Sequence, residues 1–363
     1  MSLSCGIVGL PNVGKTTLFN AITAADAASS AYAFSSLETN VHVVRVPDDR
    51  LATINRFVET KKVVPADVRF VDIPGIAAGA SQGEGVGNKF LGQVKETDAI
   101  IHVVRCFDNE EVAREGPVDA KKDLEDLEIE LAMADFDTVT RGLERSTKKA
   151  RTGDKDAIFE RDTLEKARGL LEEGIQLRTQ EWKPNELECM RPLFLMTTKP
   201  VLYVANVGDS DVKGESEHAR AVAEHAQKMD ASWIPLCCDM ENELRKMDDD
   251  DREMFMEELG IEELSLGRLI ASAYDLLGLQ TFFTAGEKEI KAWTIRKGDT
   301  GPVAAGKIHS DFEKAFIRAE VYSVDDLVEH ETESAIKSAG KMRVEGKDYV
   351  LQDGDICHFL VGK

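Results

Sequence analysis

The sequence is short of positive charge. It has 45 Lys and Arg residues against 67 Asp and Glu residues, which gives a formal net charge of −22. A protein that wraps nucleic acid over a broad face needs Lys and Arg to displace counterions, so this acidity excludes a generally basic nucleic-acid binder. We therefore expect no DNA partner, and any RNA contact must be made through a local basic patch.

Cysteine is sparse, and long apolar runs are missing. The six cysteines form no Cys-x-x-Cys pair, and Cys237 and Cys238 are direct neighbours. This spacing suits reduced thiols rather than a disulfide framework or a zinc site, and it favours a cytoplasmic location. No apolar run reaches the roughly 18 residues of a membrane span, and the first residues do not resemble a signal peptide. We therefore expect no membrane partner.

The composition and the hydrophobic pattern of the sequence are those of a globular α/β protein. Its 363 residues are 42% hydrophobic and 31% charged, which is enough for two or three domains at roughly 150 residues each. Short apolar runs with the character of strands alternate with amphipathic helical stretches, which indicates a mainly parallel sheet. These runs cover residues 3–9, 41–46, 68–71, 99–104, 200–205 and 232–236.

Residues 118–195 interrupt the alternation. Apolar residues recur there at helical spacing in two segments, which run from Leu124 to Phe136 and from Leu164 to Ile175, and a turn signal at 151–154 lies between them. The pattern predicts a helical hairpin inserted into the sheet domain as an antiparallel coiled coil. Two core helices of a larger domain are the alternative, and the high charge of both segments favours a projecting arm.

The residues beyond Gly278 predict a separate α+β module. Residues 291–296 and 315–321 have the character of strands. The Asp-Gly pair at 353–354 predicts a turn that joins residues 349–351 and 357–360 in a closing hairpin.

The clearest chemical signal is a phosphate-binding loop. Residues 9–16 read Gly-Leu-Pro-Asn-Val-Gly-Lys-Thr, and they lie between a predicted strand and a predicted helix. Glycines let the backbone N–H groups face the phosphates, and the helix N-terminus adds favourable potential. Lys15 would reach the β and γ phosphates, and the Thr16 hydroxyl would coordinate Mg²⁺.

Two further segments complete a Mg²⁺-nucleotide site. Asp72 ends an apolar strand, where a metal-facing aspartate belongs, and Gly75 would offer its backbone N–H to the γ-phosphate. A polar loop at residues 34–39 takes the position of a first GTPase switch, so one of its hydroxyls would complete the Mg²⁺ shell.

The base-recognition motif is incomplete. GTPases usually carry Asn-Lys-x-Asp here, and this chain has Asn206, Val207, Gly208 and Asp209. An aspartate at this position accepts hydrogen bonds from guanine, whereas the lysine that packs over the base is replaced by Val207. Residues 235–239 also lack the Ser-Ala-Lys pattern of the fifth GTPase motif.

Together these motifs resemble the Obg-like ATPase (YchF) family. The resemblance rests on residues 6–15, 72–76, 83–91 and 102–107, and on 279–287, 304–312 and 345–349 toward the C-terminus. It implies a Ras-like P-loop NTPase domain (1–117 and 196–277), an inserted α-helical coiled-coil arm (118–195), and an α+β, ubiquitin-like β-grasp TGS domain (278–363). It also implies a Mg²⁺-dependent hydrolytic cycle that accepts ATP or GTP, and association with the ribosome, on its large subunit.

The resemblance assigns particular site residues. Ser36 stands where the family has a metal-binding threonine and keeps the hydroxyl, and the backbone of Val207 would contact the base. The implied phosphate-binding residues are Asn12, Val13, Gly14, Lys15, Thr16 and Thr17.

Two departures from the family pattern matter. The family often has Glu where this chain has Asp209, which is closer to the guanine-specific pattern. A histidine commonly follows the Arg-Cys-Phe segment, and residues 108–116 contain none, so no catalytic role of that histidine can transfer.

The residue that positions the attacking water is not evident. Ras-type enzymes place a glutamine after Asp-x-x-Gly, and this chain has Ile76, which cannot hydrogen-bond water. We therefore predict a slow NTPase that a partner or a cation stimulates. Asn12 is a candidate K⁺ ligand, with a loop residue that satisfies backbone groups as the alternative.

Three functional hypotheses follow. They are a ribosome-binding ATPase, a GTP switch of the same fold, and a ribosome or RNA adaptor whose binding ignores nucleotide. The motifs at Asp72 and Asn206 speak against a metabolic kinase.

Two histidines and two charged stretches have simpler interpretations. His102 lies in an apolar run and is best interpreted as a packed strand residue, and His309 is either a surface contact or a capping residue. Residues 239–263 carry twelve acidic and three basic residues, which indicates a solvated helix face. Residues 141–168, the predicted arm tip, carry nine basic and six acidic residues. With a net charge of +3, the tip could approach rRNA locally although the rest of the protein is repelled.

Overall fold

The structure is a computed structural model that describes residues 3–29, 41–75, 86–109, 116–244, 246–261 and 263–362. In this part of the chain the strands are β1 (Ser4–Val8), β2 (Val41–Arg45), β3 (Val63–Val64), β4 (Asp67–Asp72), β5 (Ala99–Cys106), β6 (Val201–Val207), β7 (Ser232–Leu236), β8 (Leu279–Thr284), β9 (Ile290–Arg296), β10 (Phe316–Ser323), β11 (Arg343–Glu345) and β12 (Asp355–Val361). The α-helices are α1 (Lys15–Ser29), α2 (Asp49–Phe57), α3 (Val86–Glu96), α4 (Ala120–Ala150), α5 (Lys155–Glu172), α6 (Pro184–Met190), α7 (Glu217–Lys228), α8 (Cys238–Leu244), α9 (Asp249–Leu259), α10 (Ser265–Leu276), α11 (Gly301–Ile308), α12 (Ser310–Ala315), α13 (Val324–His330) and α14 (Glu333–Ser338). Short 3-10 helices cover Leu177–Thr179, Arg191–Leu193, Met196–Thr198 and Asp209–Asp211.

The chain divides into two compact units. The first comprises residues 1–42 and 69–269, and the second comprises residues 43–68 and 270–363. The sequence placed residues 43–68 in the NTPase domain, whereas in the structure they belong with the C-terminal residues. The physical reason is pairing inside the second unit, where β3 runs parallel to β9 and Arg50 forms a 2.7 Å ion pair with Asp353. The boundaries predicted for the inserted arm, residues 118–195, stay a prediction.

The first unit is built on a mainly parallel sheet, which confirms the predicted α/β class. The strand order is β2-β4-β1-β5-β6-β7, and β1 is parallel to both β4 and β5. The central strands β5 and β6 are buried along their whole length, as expected where helices cover both faces of a parallel sheet. The carboxyl ends of β1, β4 and β6 meet at one edge of this sheet, where ligands bind in such folds.

The predicted helical hairpin is confirmed. It consists of α4 and α5, and residues 151–154 form the turn between them. Along its outer part, α4 and α5 share a core with the segments that follow α5, and this core includes Val139, Leu164 and Ala167. At its inner end, Leu124 and Leu127 of α4 belong to the core of the sheet. Helix α4 therefore contributes to the core of the sheet at one end and to the core of the hairpin at the other. The coiled-coil geometry of the arm stays a prediction.

Aspartate caps define where the arm helices begin. Asp119 accepts a hydrogen bond from the Lys122 backbone N–H at 3.0 Å, and Asp154 accepts one from Asp156 N–H at 3.0 Å. Each cap satisfies a donor that the first helical turn leaves without a partner. Asp154 therefore both ends the turn at the arm tip and starts α5.

A buried polar network joins the arm to the sheet. Glu128 of α4 accepts a 2.6 Å hydrogen bond from the Tyr203 hydroxyl, lies 3.0 Å from His225 Nε2 and is 3.9 Å from Arg178. Burial opposes ionisation of Glu128, but these partners outweigh it and lower the pKa of the carboxyl. Because a buried carboxylate is tolerated only when it is paired, the network ties the arm to β6 and α7 at one place.

The second unit has the predicted β-grasp architecture. Its mixed sheet has the order β11-β10-β12-β8-β9-β3, with β8 antiparallel to β9 and parallel to β12. Helix α11 places Ala304 and Ala305 in a core with Phe282, Ile295 and Val321. Small residues on the helix let it lie close to the aromatic face of the sheet.

The predicted closing hairpin between residues 349–351 and 357–360 is wrong. The turn exists, since Asp355 Oδ2 accepts a 2.9 Å hydrogen bond from the Gln352 backbone N–H. After it, however, β12 pairs with β10 and β8, while Val350 forms an isolated bridge with Thr300. The turn signal was local and correct, but the strand partner is distant in sequence.

Candidate nucleotide-binding site

The predicted phosphate loop connects β1 to α1. The Gly14 carbonyl accepts the first helical hydrogen bond, from Leu18 N–H at 2.9 Å, so Gly14 is where the loop becomes helix. Asn12 and Gly14 have left-handed φ angles of 60° and 97°. These conformations curl the chain at the helix N-terminus, where backbone N–H groups and the helix dipole favour an anion.

Two glycines allow the loop to lie against neighbouring strands. A Cβ atom at Gly9 would stand 2.5 Å from the carbonyl oxygen of Val103 in β5. A Cβ atom at Gly14 would stand 2.2 Å from the side-chain nitrogen of Asn206 in β6. Both positions therefore require glycine for close approach, and Gly14 also requires it for its backbone angle.

Lys15 is the cation of the site. Only 7% of the residue is exposed, and its Nζ donates a 2.6 Å hydrogen bond to the Leu10 carbonyl at the start of the loop. Burial lowers the pKa of Lys15 to about 8, against the opposing effect of the Asp72 carboxylate. The side chain is thus cationic at neutral pH and folded back over the loop.

Thr16 and Asp72 lie together, as predicted for a Mg²⁺ site. The Thr16 hydroxyl donates a 3.2 Å hydrogen bond to Asp72 Oδ2. The other oxygen, Oδ1, is buried and finds no hydrogen-bond partner among the described residues. Burial raises the pKa of Asp72, and both Thr16 and Lys15 oppose that rise. A carboxylate with an unused oxygen beside a hydroxyl fits a hard cation such as Mg²⁺, which takes oxygen ligands.

Gly75 lies beside Lys15, as its predicted role requires. A Cβ atom there would stand 2.9 Å from Lys15 Nζ and 3.0 Å from the Pro11 Cα. The segment after β4 therefore approaches the phosphate loop closely. Ser36, a predicted Mg²⁺ ligand, lies outside the described residues, and so does Ile76, which stands where Ras-type enzymes have a water-positioning glutamine.

The fourth motif lies where predicted, and Asn206 has a role that the motif did not indicate. Its Nδ2 donates to the Val13 carbonyl at 2.9 Å, and its Oδ1 accepts from the Cys238 backbone N–H at 3.4 Å. Asn206 thus holds the phosphate loop against the start of α8. Val207 is buried, whereas Asp209 is exposed after the end of β6.

Sequence reasoning missed Arg105. This residue is only 3% exposed, and its guanidinium lies 4.7 Å from the ring centre of Phe107. It donates hydrogen bonds to the carbonyls of Phe107 and Asn109, both at 3.1 Å. Arg105 therefore shapes the loop after β5, and no local signal distinguished it from a surface arginine.

The simple interpretations of the histidines are supported by their surroundings. His102 is 3% exposed, its ring lies 5.5 Å from that of Tyr203, and burial lowers its pKa to about 3. It is a packed neutral strand residue, which confirms the prediction. His309 caps α12, because its Nδ1 accepts a 3.2 Å hydrogen bond from the Asp311 backbone N–H.

The fold and the site define a P-loop nucleoside-triphosphate hydrolase. Comparison with known families agrees, since residues 4–139 match a model described as a 50S ribosome-binding GTPase. Residues 279–362 match the model YchF-GTPase_C, described as a protein of unknown function (DUF933).

Whole-chain relatives give the family. The chain is 46% identical over 360 residues to the ribosome-binding ATPase YchF of Pasteurella multocida, and over 362 residues to that of Bacillus subtilis, with 99% of each chain covered. The solved structure of the Schizosaccharomyces pombe YchF GTPase matches with a TM-score of 0.89 and 34% identity, covering 99% of this chain and 98% of that one. The chain belongs to the YchF family, which confirms the predicted resemblance.

Three features of the described residues concern membranes, metal ions and disulfides. None of the described helices combines the length and the apolar composition that a membrane span requires. No three His, Cys, Asp or Glu side chains within the described ranges cluster as metal ligands. The cysteines at positions 5, 106, 189, 237, 238 and 357 all lie within the described ranges and are free thiols.

Proposed function

We propose that this protein is a ribosome-binding ATPase that hydrolyses ATP with Mg²⁺ at a slow intrinsic rate in the cytoplasm. The observation that carries the proposal is the convergence of Lys15, Thr16, Asp72 and Gly75 on one phosphate loop. Relatives named ribosome-binding ATPase, similar over 99% of both chains, support the choice of partner and of base.

The proposed roles follow from the side chains. Lys15 would exchange its hydrogen bond to Leu10 for phosphate oxygens, and the Gly75 backbone N–H would donate to the γ-phosphate. Thr16 and Asp72, with Ser36, would hold Mg²⁺, which supplies positive charge against the phosphate oxygens when bound. Asn12 to Thr17 would cradle the phosphates, and Asn206, Val207 and Asp209 would line the base.

The choice of base is tested by competition. We expect unlabelled ATP to displace a fluorescent ATP analogue from the purified protein at least as well as GTP does. Val207 replaces the lysine that packs over guanine in GTPases, so one contact that favours GTP is missing. Asp209 still offers guanine a hydrogen-bond acceptor, so we expect GTP to bind as well. A large preference for GTP would reject the ATPase proposal and favour a GTP switch of the same fold.

Potassium is proposed as a stimulating cation through Asn12. We expect hydrolysis to be faster in KCl than in NaCl at equal ionic strength, because a cation at the phosphate loop would stabilise transition-state charge. The measurement is phosphate release under both salts at saturating ATP and Mg²⁺. Equal rates would remove K⁺ from the mechanism and leave Asn12 as a loop residue.

The arm tip is proposed as the rRNA contact. Arg145, Lys148, Lys149 and Arg151 are all exposed beside the turn between α4 and α5. Reversing the charge of Lys148, Lys149 and Arg151 to Glu should weaken ribosome binding by about tenfold or more, because three phosphate contacts are replaced by repulsion. Sedimentation with ribosomes over a series of salt concentrations measures the loss.

A matched control separates the tip from net charge. Lys121, Lys122 and Lys183 are also exposed on the inserted region and lie away from the tip. Their replacement by Glu changes the net charge by the same amount, and we expect ribosome binding to stay close to that of the wild type. If both triple variants bind as the wild type does, the tip is not a ribosome contact.

A further inference from the structure

Helix α3 lies between the nucleotide site and the arm. It follows Gly75 in the chain, and its buried residues Phe90 and Val94 belong to the core cluster that also holds Ile73. The same cluster contains Leu131 of α4 and Met196 at the end of the arm. One continuous apolar core therefore includes Ile73, which follows Asp72, and the buried face of helix α3. It also includes the outgoing and the returning chain segment at the base of the arm, which we call the arm root.

The carboxyl end of α3 is capped by a buried lysine from outside the helix. Lys199 is 8% exposed, and its Nζ donates hydrogen bonds to the carbonyls of Val94 at 2.7 Å and Lys95 at 2.8 Å, and also to that of Thr97. The last carbonyls of a helix lack partners within the helix. A cation at this end also interacts favourably with the negative end of the helix dipole. An ammonium has three N–H donors. Lys199 uses all three at the carboxyl end of α3, on the carbonyls of Val94, Lys95 and Thr97.

The chain around Lys199 is fixed to the arm. Lys199 follows the short 3-10 helix Met196–Thr198, which closes the insertion. The backbone N–H and the hydroxyl of Thr197 both donate to Asp135 Oδ2 of α4 at 2.7 Å. Lys95, in the last turn of α3, donates to the Thr138 hydroxyl of α4 at 3.1 Å. Polar contacts thus join α3 to the outgoing and the returning segment of the arm.

The opposite side of this junction touches the strand that carries the nucleotide site. A Cβ atom at Gly6 in β1 would stand 2.8 Å from Ile73 Cδ1 and 3.0 Å from the Thr97 hydroxyl. The absence of a side chain at Gly6 therefore lets the residue after Asp72 and the end of α3 meet over β1. A shift of either one must be accommodated by the other, because this interior is closely packed.

We propose that Lys199 is a positioning residue that couples the nucleotide site to the arm by fixing the end of α3 to the arm root. The proposal rests on the proposed function in that nucleotide must bind at the phosphate loop. A change at the residues after Asp72 reaches Thr97 and α3 through packing. Lys199 and the Lys95–Thr138 contact then pass it to α4.

The test compares hydrogen exchange of the arm root in two nucleotide states. The wild-type protein is measured with saturating ADP and with a non-hydrolysable β,γ-imido analogue of ATP, both with Mg²⁺. We expect the exchange of residues 131–142 to differ between the two states. In Lys199→Met that difference should fall by about half or more, while nucleotide affinity stays within about twofold, as expected when coupling rather than binding is lost.

Two further variants keep the test decisive. Thr138→Val removes the acceptor of Lys95 and, with it, the 2.9 Å hydrogen bond that the Thr138 hydroxyl donates to the Ala134 carbonyl within α4. It is expected to fold even if Lys199→Met does not, and it should also reduce the difference. Lys122→Met removes an exposed ammonium at the start of the same helix and should leave the difference unchanged. A purely structural role would accelerate exchange equally in both nucleotide states, whereas the proposal requires the difference itself to shrink.

The outcomes separate the two proposals. If nucleotide binds and the wild-type arm shows no difference, or if the difference persists in Thr138→Val and in any folded Lys199→Met protein, the coupling proposal is overturned and the proposed function stands. If neither nucleotide binds to the wild-type protein, the proposed function fails, and the coupling fails with it.

Discussion

Replacing Gly14 with alanine should abolish nucleotide binding while the rest of the protein stays folded. Gly14 has a φ of 97°, where a side chain is strained, and the new methyl group would stand 2.2 Å from Asn206 Nδ2. The loop can relieve this overlap only by leaving the shape that points its N–H groups at phosphate. We expect a loss of affinity of about 100-fold or more, measured by titration with a fluorescent ATP analogue.

Gly169→Ala is the matched control for this substitution. Gly169 lies inside α5, and a Cβ atom there would meet nothing within 4 Å. Alanine should leave nucleotide affinity unchanged and raise stability by about 1 kcal/mol, because it favours the helix more than glycine does. Retention of wild-type affinity in Gly14→Ala would show that the loop does not bind nucleotide in the conformation described.

Replacing Lys15 with alanine should remove hydrolysis almost completely. Lys15 is the buried cation beside Gly75, so its loss removes the positive charge that the loop offers to the developing charge on the phosphates. We expect the rate of phosphate release to fall by about 10³-fold at saturating ATP. Lys122→Ala, at an exposed position of α4, serves as the control and should keep the wild-type rate.

The same variant distinguishes an enzyme from an adaptor. If the protein is an adaptor whose partner binding ignores nucleotide, Lys15→Ala should sediment with ribosomes as the wild type does, with and without ATP. If nucleotide governs the interaction, the response of sedimentation to ATP should disappear in Lys15→Ala. A wild-type rate of phosphate release in Lys15→Ala would contradict the assigned catalytic role.

Lys15 also sets an expected pH dependence. Its pKa in the folded protein, about 8, lies below the ordinary value of 10.5. Between these values the unfolded chain binds more protons than the folded one, so this group contributes stability that increases as the pH rises through that window. Affinity for a triphosphate should move the other way and weaken above about pH 8, because the cation is lost.

Much of the fold was accessible from the sequence because its signals are local. Apolar runs bounded by turn residues predicted the strands of the parallel sheet, and helical periodicity predicted α4 and α5 with their turn at 151–154. The phosphate loop was predictable for the same reason, since the glycines, Lys15 and Thr16 act within eight consecutive residues. Asp72 was found because it ends an apolar strand downstream of the phosphate loop, where a metal-facing aspartate belongs.

The site was only partly accessible, because several of its contacts join distant residues. The motif indicated that Asn206 belongs to base recognition, but not that its amide supports Val13, which is 193 residues away. Lys199 and Arg105 carry no local signal, because a buried lysine or arginine has the same sequence pattern as an exposed one. Only their carbonyl partners distinguish them, and those partners are set by how the elements pack.

The sequence by itself determined the α/β class, the helical insertion and the phosphate loop, because hydrophobic periodicity and glycine positions act over a few residues. The tertiary structure alone decided that residues 43–68 belong with the C-terminal unit and that β12 lies parallel to β8. It alone also joined the end of α3 to the arm root through Lys199. These pairings and contacts depend on which apolar surfaces, distant in the sequence, pack against each other and are removed from water. Strand partners and buried hydrogen-bond donors can therefore be identified only after that packing is known.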